Sequence, residues 1–360
     1  MPTMLDFLSA WYKRYFTDPQ AALLVVLLVV SAVVLAYMGQ MLAPLLAALV
    51  IAYLLEGLVK KIQKYSLSRL LSVNIVFLLF MLFMTFVLLG VVPIISKQVS
   101  QFFQDMPAMI NNGQGLLSQL PTKYPEIISD EYISQIMFTI KQGVSDLGKN
   151  ILSFSFASIP AIVTVLIYLV LVPLMIFFFL KDKATIIDWL GHFLPKDRRL
   201  LNEVWIEMDL QIGNYVRGKF NEIIIVGALS YVLFVILDLN YAPLLALLVG
   251  LSVLIPYIGA AVVTLPVALV GYFQWSVSSD FYWLMTSYFV LQFLDGNVLV
   301  PILFAEAVKL HPIAIIVAIL VFGGLWGFWG VFFAIPLATL VKALINVWPT
   351  QEYAAQISTN

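Results

Sequence analysis

The sequence contains no cysteine and little charge, and each absence excludes a class of protein. Without cysteine there can be no disulfides, thiolate metal sites or cysteine nucleophiles. Only 11% of the residues are charged and 62% are hydrophobic, whereas a soluble domain carries about 25% charged residues. A soluble enzyme, a nucleic-acid binder or a disordered scaffold needs more charged residues than this chain contains. These three classes are therefore excluded. The composition therefore predicts an integral membrane protein, and the net charge of −1 predicts no nucleic-acid partner.

Sequence signatures of catalysis are missing as well. The chain has no GxxxxGK[ST] phosphate-binding loop, no HExxH metal motif and no nucleophile elbow. Its two histidines, His192 and His311, lie in different regions. We therefore predict that the chain is not an enzyme and has no cofactor and no metal site. Transport by such a chain would be passive or driven by an ion gradient, because nothing in it would bind ATP.

Long uncharged stretches define the predicted membrane spans. A spanning helix needs about 20 apolar residues; the longest uncharged stretches, 19–55 and 239–279, exceed that length, and breakers interrupt them, Gly39 with Pro44 and Pro256 with Gly259. We predict an all-α polytopic membrane protein with about eight transmembrane helices, some of them broken or re-entrant. The predicted spans are 21–38, 41–58, 72–95, 152–180, 222–238, 244–272, 281–304 and 312–345.

These spans divide the chain into successive segments. They are an interfacial amphipathic N-terminus at 1–20, spans 1–3 at 21–96, an outer segment of amphipathic helices at 97–150, span 4 at 151–180, a cytoplasmic helical segment at 181–221, spans 5–8 at 222–346 and a tail at 347–360. Cytoplasmic loops carry an excess of Lys and Arg. The loop containing Lys60, Lys61, Lys64 and Arg69 and the segment that begins at Lys181 are therefore predicted to be cytoplasmic, together with both termini.

Polar residues interrupt the apolar sequence between 292 and 312. Ionisable groups inside a bilayer are costly and usually face the bundle interior or a watery cavity. Gln292, Asp295 and Asn297 fit this description, and Asp295 is the best candidate for a proton or cation carrier. An equally good interpretation is that Asp295 caps a broken half-helix.

Three further polar residues follow at the end of the same stretch. Glu306 and Lys309 are three residues apart and can pair on a helix, and an interface pair is favoured over a transport role. His311 could titrate near neutral pH, although an interfacial histidine beside Pro312 is favoured.

Proline and glycine concentrate in the last three predicted spans. Helix breaks in a membrane are tolerated where the freed backbone groups are buried in protein or face water, and many transporters bind solutes at such breaks. Close packing of helices at the glycines is the alternative interpretation. The candidate break or gating residues are Pro256, Gly259, Pro266, Pro301, Pro312, Gly323, Gly324, Gly327, Gly330 and Pro336.

Several motifs resemble those of the autoinducer-2 exporter family. They are Phe179-Leu-Lys181-Asp182, Tyr215-Val-Arg217-Gly218-Lys219, Ile255-Pro-Tyr-Ile-Gly259 with Pro266, and the block from Gln292 to Pro336. The resemblance covers nearly the whole chain. It implies a protein of the bacterial inner membrane that assembles as a homo-oligomer, with a pentamer as the expected state, and that exports autoinducer-2. It also implies a link to Na⁺/H⁺ exchange.

Three hypotheses about function follow from these features. The first is a secondary exporter of a small polar solute, with autoinducer-2 as the candidate, acting near the broken helices of the C-terminal half. The second is a cation/proton antiporter, since Asp238, Asp295 and Glu306 lie in or near the last spans. The third is a non-transporting membrane organiser that uses the segments 97–150 and 181–221 for docking. The expected partners of the first two are a small molecule or an ion, and the lipid bilayer.

Overall fold

The computed structural model describes residues 19–117, 159–195, 199–304 and 310–347, together with parts of 129–146. The regular elements in this part of the chain are all helices, which confirms the all-α polytopic fold. Most of the predicted N-terminal segment at 1–20, the tail after residue 347, and the residues Glu306 and Lys309 lie outside the described residues.

We number the principal helices in chain order. They are α1 (Pro19–Gln63), α2 (Arg69–Phe86), α3 (Val92–Leu117), α4 (Ile159–Lys181), α5 (Lys183–Gly191), α6 (Arg199–Ile236), α7 (Ala242–Ser252), α8 (Ile258–Trp275), α9 (Ser279–Leu294), α10 (Val300–Phe304), α11 (Pro312–Phe332) and α12 (Ala334–Val347). Short π-helical turns, Val87–Val91 and Asp295–Leu299, join α2 to α3 and α9 to α10.

The described residues contain six helices long and apolar enough to cross a membrane, or seven if α4 and α5, which meet at a bend of 79°, form one broken span. This number agrees with the prediction of about eight, and the difference arises in α1, a single helix that passes through Gly39 and Pro44 without a break. A break there would expose backbone groups in an apolar environment, and proline inside a membrane helix is tolerated when neighbouring groups satisfy the freed carbonyl.

Several helices run across the predicted segment boundaries. The helix α6 joins the predicted cytoplasmic segment to the next span without interruption. Its residues Leu201–Ile236 form one candidate span. Likewise, Arg69–Asn111 is one long apolar helix that continues through the π-helical turn into the predicted outer segment.

The chain folds into two compact units. Unit 1 lies within Met1–Phe77, Val170–Asn221 and Val300–Asn360, and unit 2 within Leu78–Leu169 and Glu222–Leu299. A core that includes Phe234, Leu284 and Tyr288, none of which is exposed to solvent, holds unit 2 together. In unit 1, Tyr215 and Phe304 pack with residues of α11 and α12.

Candidate transport site

Unit 2 contains a series of polar side chains inside its apolar core. Tyr288 on α9 is completely buried, and its hydroxyl lies 3.2 Å from Oγ1 of Thr264 on α8. The Nε2 group of Gln292, one turn further along α9, donates a hydrogen bond to the same hydroxyl at 2.6 Å. We call Thr264, Tyr288 and Gln292 the polar series. A buried polar group is costly unless it is hydrogen-bonded, so these three residues support one another.

Asp295 extends this face of α9. It begins the π-helical turn Asp295–Leu299, and its spacing from Tyr288 and Gln292 places the three residues on one side of the helix. The carboxylate oxygen Oδ1 of Asp295 is shielded from solvent. π-helical turns within α-helices are often found at functional sites.

Asn297 does not join this face. Its Nδ2 group donates to the backbone carbonyl of Phe293 at 2.9 Å, and its side chain is exposed. His311 is also exposed; it precedes α11, where its Nδ1 atom accepts a hydrogen bond from the Ile313 backbone N–H at 3.3 Å. The structure therefore brings Gln292 and Asp295 to one face and gives Asn297 and His311 local capping contacts.

The predicted break at Pro256 forms a hairpin in unit 2, which we call the first hairpin (α7 and α8). Pro256 lies in its turn, and Tyr257 has a positive φ of 62°. A Cβ atom on Gly259 would overlap the carbonyl group of Ser252 on the opposite arm. Pro266 lies inside α8 without ending it. With only eleven residues, α7 is too short to cross a bilayer, for which about 20 are needed, and this favours a re-entrant hairpin.

The second hairpin (α11 and α12) belongs to unit 1; its turn is at Gly327 within α11, so the rest of α11 and α12 form its second arm. Gly327 interrupts α11 with φ 57° and ψ −132°, and the chain folds back so that a Cβ atom on Gly330 would overlap the Phe322 carbonyl. Gly323 lies close to the Val331 side chain, whereas a Cβ atom on Gly324 would meet nothing within 4 Å. Of the prolines predicted to break helices, Pro312 starts α11, whereas Pro301 and Pro336 lie within α10 and α12.

Four residues of the family-like motifs fall in the predicted cytoplasmic segment, and all of them lie in unit 1: Lys181, Asp182, Arg217 and Gly218. Lys181 ends α4, and Asp182 occupies the 79° bend before α5. Arg217 donates from Nη2 to Asn214 Oδ1 at 2.9 Å. A Cβ atom on Gly218 would lie 2.7 Å from the ring of Phe304, so glycine at this position allows close packing.

The sequence analysis missed a charged cluster in unit 1. Glu56 on α1 is only 8% exposed; its Oε2 atom lies 3.2 Å from Nη2 of Arg69, and its Oε1 atom lies 3.7 Å from Nζ of Lys183. Arg69 also donates to the Leu180 carbonyl at the end of α4, at 2.6 Å. The signal available in the sequence was that Glu56 ends the first uncharged stretch, next to the basic loop.

This cluster bears on the predicted orientation. Arg69 and Lys183 come from two segments that the distribution of basic residues assigned to the same side of the membrane. Their common contact with Glu56 places both segments at one location in unit 1. That the two segments lie on the cytoplasmic side stays a prediction.

Long apolar helices, a partly buried polar series and two re-entrant-like hairpins are the features of a polytopic membrane protein. A family model described as AI-2E family transporter matches residues 22–350, and the chain belongs to this family. PerM of Escherichia coli (strain K12), which is named as a permease, is 44% identical over 353 residues, covering 98% of this chain and 100% of PerM.

More distant relatives carry similar names. YueF of Bacillus subtilis (strain 168), named as a transport protein, is 25% identical over 296 residues, covering 81% of this chain and 80% of YueF. YrrI of the same organism, also named as a transport protein, is 25% identical over 297 residues, covering 81% of this chain and 82% of YrrI. The chain is therefore a membrane transporter and not an enzyme.

Proposed function

We propose that the chain is a secondary transporter that exports a small polar solute through a site beside the polar series of unit 2. The observation that carries this proposal is the hydrogen-bonded set of Thr264, Tyr288 and Gln292 inside apolar helices, followed by the shielded carboxylate oxygen of Asp295. Polar groups kept within membrane helices are commonly parts of solute or ion pathways.

Each group has a chemical role in this proposal. The hydroxyl and amide groups of the polar series offer both donors and acceptors to a hydroxylated solute. Asp295 is the coupling group, since a carboxylate shielded from water can exchange a proton or a cation as the local structure opens. Autoinducer-2 is the candidate solute, and the family resemblance is what supports it.

The test is efflux of labelled autoinducer-2 from loaded proteoliposomes, with and without a proton gradient. We expect gradient-dependent efflux from the wild type, and efflux from Asp295→Asn no faster than from protein-free vesicles. Gln292→Leu should reduce efflux without abolishing gradient dependence.

A matched control separates this site from the general effect of removing an acid. Asp280 lies in the first turn of the same helix and is exposed, so Asp280→Asn should transport like the wild type. Wild-type efflux from folded Asp295→Asn would remove Asp295 from the mechanism. No efflux from folded wild type would exclude autoinducer-2 as the solute.

The second candidate function is cation/proton exchange, and the burial of Glu222 favours it. This carboxylate is only 2% exposed on the apolar helix α6. We expect sodium pulses to release protons from wild-type vesicles and not from Glu222→Gln vesicles, measured with a trapped pH-sensitive dye. Absence of proton flux across a range of sodium concentrations and pH values would exclude this function.

We also propose that the protein lies in the bacterial inner membrane with both termini in the cytoplasm, on the basis of the basic residues at 60–69. The absence of native cysteine makes this testable with single cysteines and a membrane-impermeant maleimide. Lys64→Cys, on an exposed turn, should be labelled only in inverted vesicles. Gln101→Cys, on the predicted outer part of α3, should be labelled in intact spheroplasts, and the reverse pattern would invert the topology.

We further propose that protomers assemble as a homo-oligomer, with the pentamer implied by the family resemblance as the expected state. Native mass spectrometry of the protein in nanodiscs should give a mass of five chains. A monomer retained at high protein-to-lipid ratio would overturn this proposal.

A further inference from the structure

Unit 1 contains a cavity that belongs to neither the polar series nor the hairpins. Helices α1, α4, α5 and α6 line a partly open cavity of about 280 Å³, just below the range of about 300–1,000 Å³ that is usual for small-molecule pockets. Its walls are mostly aliphatic and aromatic, with Leu49, Phe179, Ile186, Leu190 and Trp205 among the lining residues.

Charged groups line one part of this cavity, and its two carboxylates differ in whether a basic side chain balances their charge. The carboxylate of Glu56 already contacts both Arg69 and Lys183. Asp209 on α6 differs, because its Oδ1 atom accepts a hydrogen bond from the Tyr53 hydroxyl at 2.6 Å, and no basic side chain among the described residues lies within ion-pair distance of it. The hydrogen bond from Tyr53 stabilises the carboxylate without neutralising its charge.

We propose that this cavity is a binding site for a small amphiphile that carries a primary ammonium group. The ammonium group would contact the carboxylate of Asp209, and the hydrocarbon part would lie against the apolar walls. An isolated carboxylate beside apolar surface favours a cationic partner, because charge-assisted hydrogen bonds are stronger than neutral ones and the apolar walls gain from removal of water. The proposal does not depend on the export function proposed for unit 2.

The first experiment measures binding of n-octylamine to the full-length protein in phosphatidylcholine nanodiscs by calorimetry. Octanol and octanoate are the controls, because they have the same chain length and a neutral or negative head. We expect saturable binding of octylamine alone. Equal binding of octanol would show that charge has no part, and no saturable binding of octylamine would show that the cavity is not a ligand site; either result overturns the proposal.

Variants of α6 locate the ammonium group. Asp209→Asn should weaken octylamine binding by about tenfold, the effect of losing one hydrogen bond to a charged group. Glu207→Gln removes the same charge from an exposed position on the same helix and should leave binding unchanged. If both variants bound octylamine equally weakly, the effect would come from the net charge of the surface, and this would contradict the proposal.

Variants of α1 test the apolar part without altering charge. Leu49 lines the cavity and is 40% exposed, so Leu49→Trp should fill the space and abolish binding even if Asp209→Asn fails to fold. Leu58 is similarly exposed on the same helix but lies outside the cavity, and Leu58→Trp should bind normally. Normal binding by folded Leu49→Trp would place the ligand elsewhere and refute the assignment.

A lipid headgroup and a free amine share the proposed chemistry, and a change of lipid distinguishes them. Phosphatidylethanolamine carries a primary ammonium group, whereas phosphatidylcholine has the same net charge without N–H donors. If lipid is the natural occupant, octylamine affinity should fall in phosphatidylethanolamine nanodiscs through competition at Asp209. Equal affinity in the two lipids would identify a free amine as the ligand of the same site.

Discussion

The first hairpin, in unit 2, and the second hairpin, in unit 1, reverse the chain in different ways. In both, a glycine of the second arm meets a backbone carbonyl of the first arm, Gly259 at Ser252 and Gly330 at Phe322. The turns differ, because Tyr257 carries the positive φ in the first hairpin and Gly327 in the second. The backbone contact thus requires glycine in both hairpins, whereas the turn uses glycine in only one.

The polar surroundings of the two hairpins differ as well. Unit 2 contains the neutral polar series, and the second hairpin packs in unit 1 among aromatic residues, where Phe322 and Trp326 stack with their centroids 5.6 Å apart. Hydrogen-bonding groups suit a polar solute better than aromatic and aliphatic side chains do. In the function proposed above, the first hairpin is therefore the one that borders the solute.

The largest expected effect comes from adding a methyl group at the carbonyl contacts. Gly259→Ala and Gly330→Ala each introduce a Cβ atom that overlaps backbone, and backbone cannot move away as a side chain can. Overpacking typically costs about 1–3 kcal/mol and sometimes more, so we expect both variants to unfold at lower temperature and to give low yields of monodisperse protein.

Gly324→Ala is the control for this pair, since a Cβ atom at that position meets nothing within 4 Å. It should behave like the wild type in the same thermal-unfolding assay. Full stability of Gly330→Ala would mean that the two arms of the second hairpin are further apart than described, and the parallel between the hairpins would fail.

Substitutions at the turns should have opposite effects in the two hairpins. Gly327→Ala places a side chain in a conformation that is essentially restricted to glycine, at a cost of about 1–3 kcal/mol. Tyr257→Gly relieves a backbone conformation (φ 62°, ψ −51°) that costs a residue other than glycine about 1–3 kcal/mol, and the entropy lost by glycine offsets about 0.5–1 kcal/mol of this gain. Unfolding temperatures should fall for the first variant and stay level or rise for the second; a fall in both would show that Tyr257 is needed for packing.

The sequence predicts the breaks better than it predicts the contacts between the arms. The run Ile255-Pro-Tyr-Ile-Gly259 correctly indicated a break, because proline and glycine act locally on the backbone. Gly39 and Pro44 carry the same local signal, yet α1 continues through them. The outcome depends on which neighbours satisfy the backbone, and a local pattern does not contain that information.

The candidate site shows the same limit. Gln292 and Asp295 stood out as polar residues in an apolar run and were predicted as candidates from the sequence. Tyr288 and Thr264 did not stand out, since tyrosine and threonine are ordinary in membrane helices, and only their contact across α8 and α9 makes them candidates. Glu56 and Lys183 were missed for a similar reason, because tertiary packing alone brings them together.

Anchoring hydrogen bonds should contribute less than the glycine contacts and should act on one hairpin at a time. The Tyr215 hydroxyl donates to the Phe332 carbonyl at 3.0 Å in the second hairpin. The side-chain oxygen Oε1 of Gln98 accepts a hydrogen bond from the Leu244 backbone N–H at 2.9 Å, at the start of the first hairpin. Tyr215→Phe and Gln98→Leu should each cost about 1 kcal/mol.

Hydrogen exchange followed by mass spectrometry can separate these two effects. Tyr215→Phe should speed exchange in peptides of the second hairpin only, and Gln98→Leu in those of the first only. Tyr231→Phe and Gln101→Leu, at exposed positions on the same helices, should change neither. Faster exchange in both hairpins from one substitution would show that the hairpins are coupled.

The smallest expected effect is the pH dependence of a further contact of the first hairpin. The Tyr241 hydroxyl donates to Asp105, and burial, followed by this hydrogen bond and the Asp105 charge, raises the pKa of Tyr241 from 10.0 to about 12. Folding therefore favours the neutral hydroxyl. Its contribution to the free energy of unfolding is complete below pH 10.0 and is lost as the pH rises through about 12. The unfolding temperatures of wild type and Tyr241→Phe should differ slightly below this interval and converge within it.

Tyr282→Phe is the matched control, because Tyr282 is exposed in the same unit, and it should follow the wild type at every pH. In the second hairpin, the loss of stability caused by Gly327→Ala should not change with pH, because its origin is steric and does not involve a proton. A stability difference for Tyr241→Phe that stays constant above pH 12 would therefore show that the ring, and not the hydrogen bond to Asp105, stabilises the first hairpin. Convergence would instead assign that stabilisation to the hydroxyl proton, a kind of contact that distinguishes the first hairpin from the second.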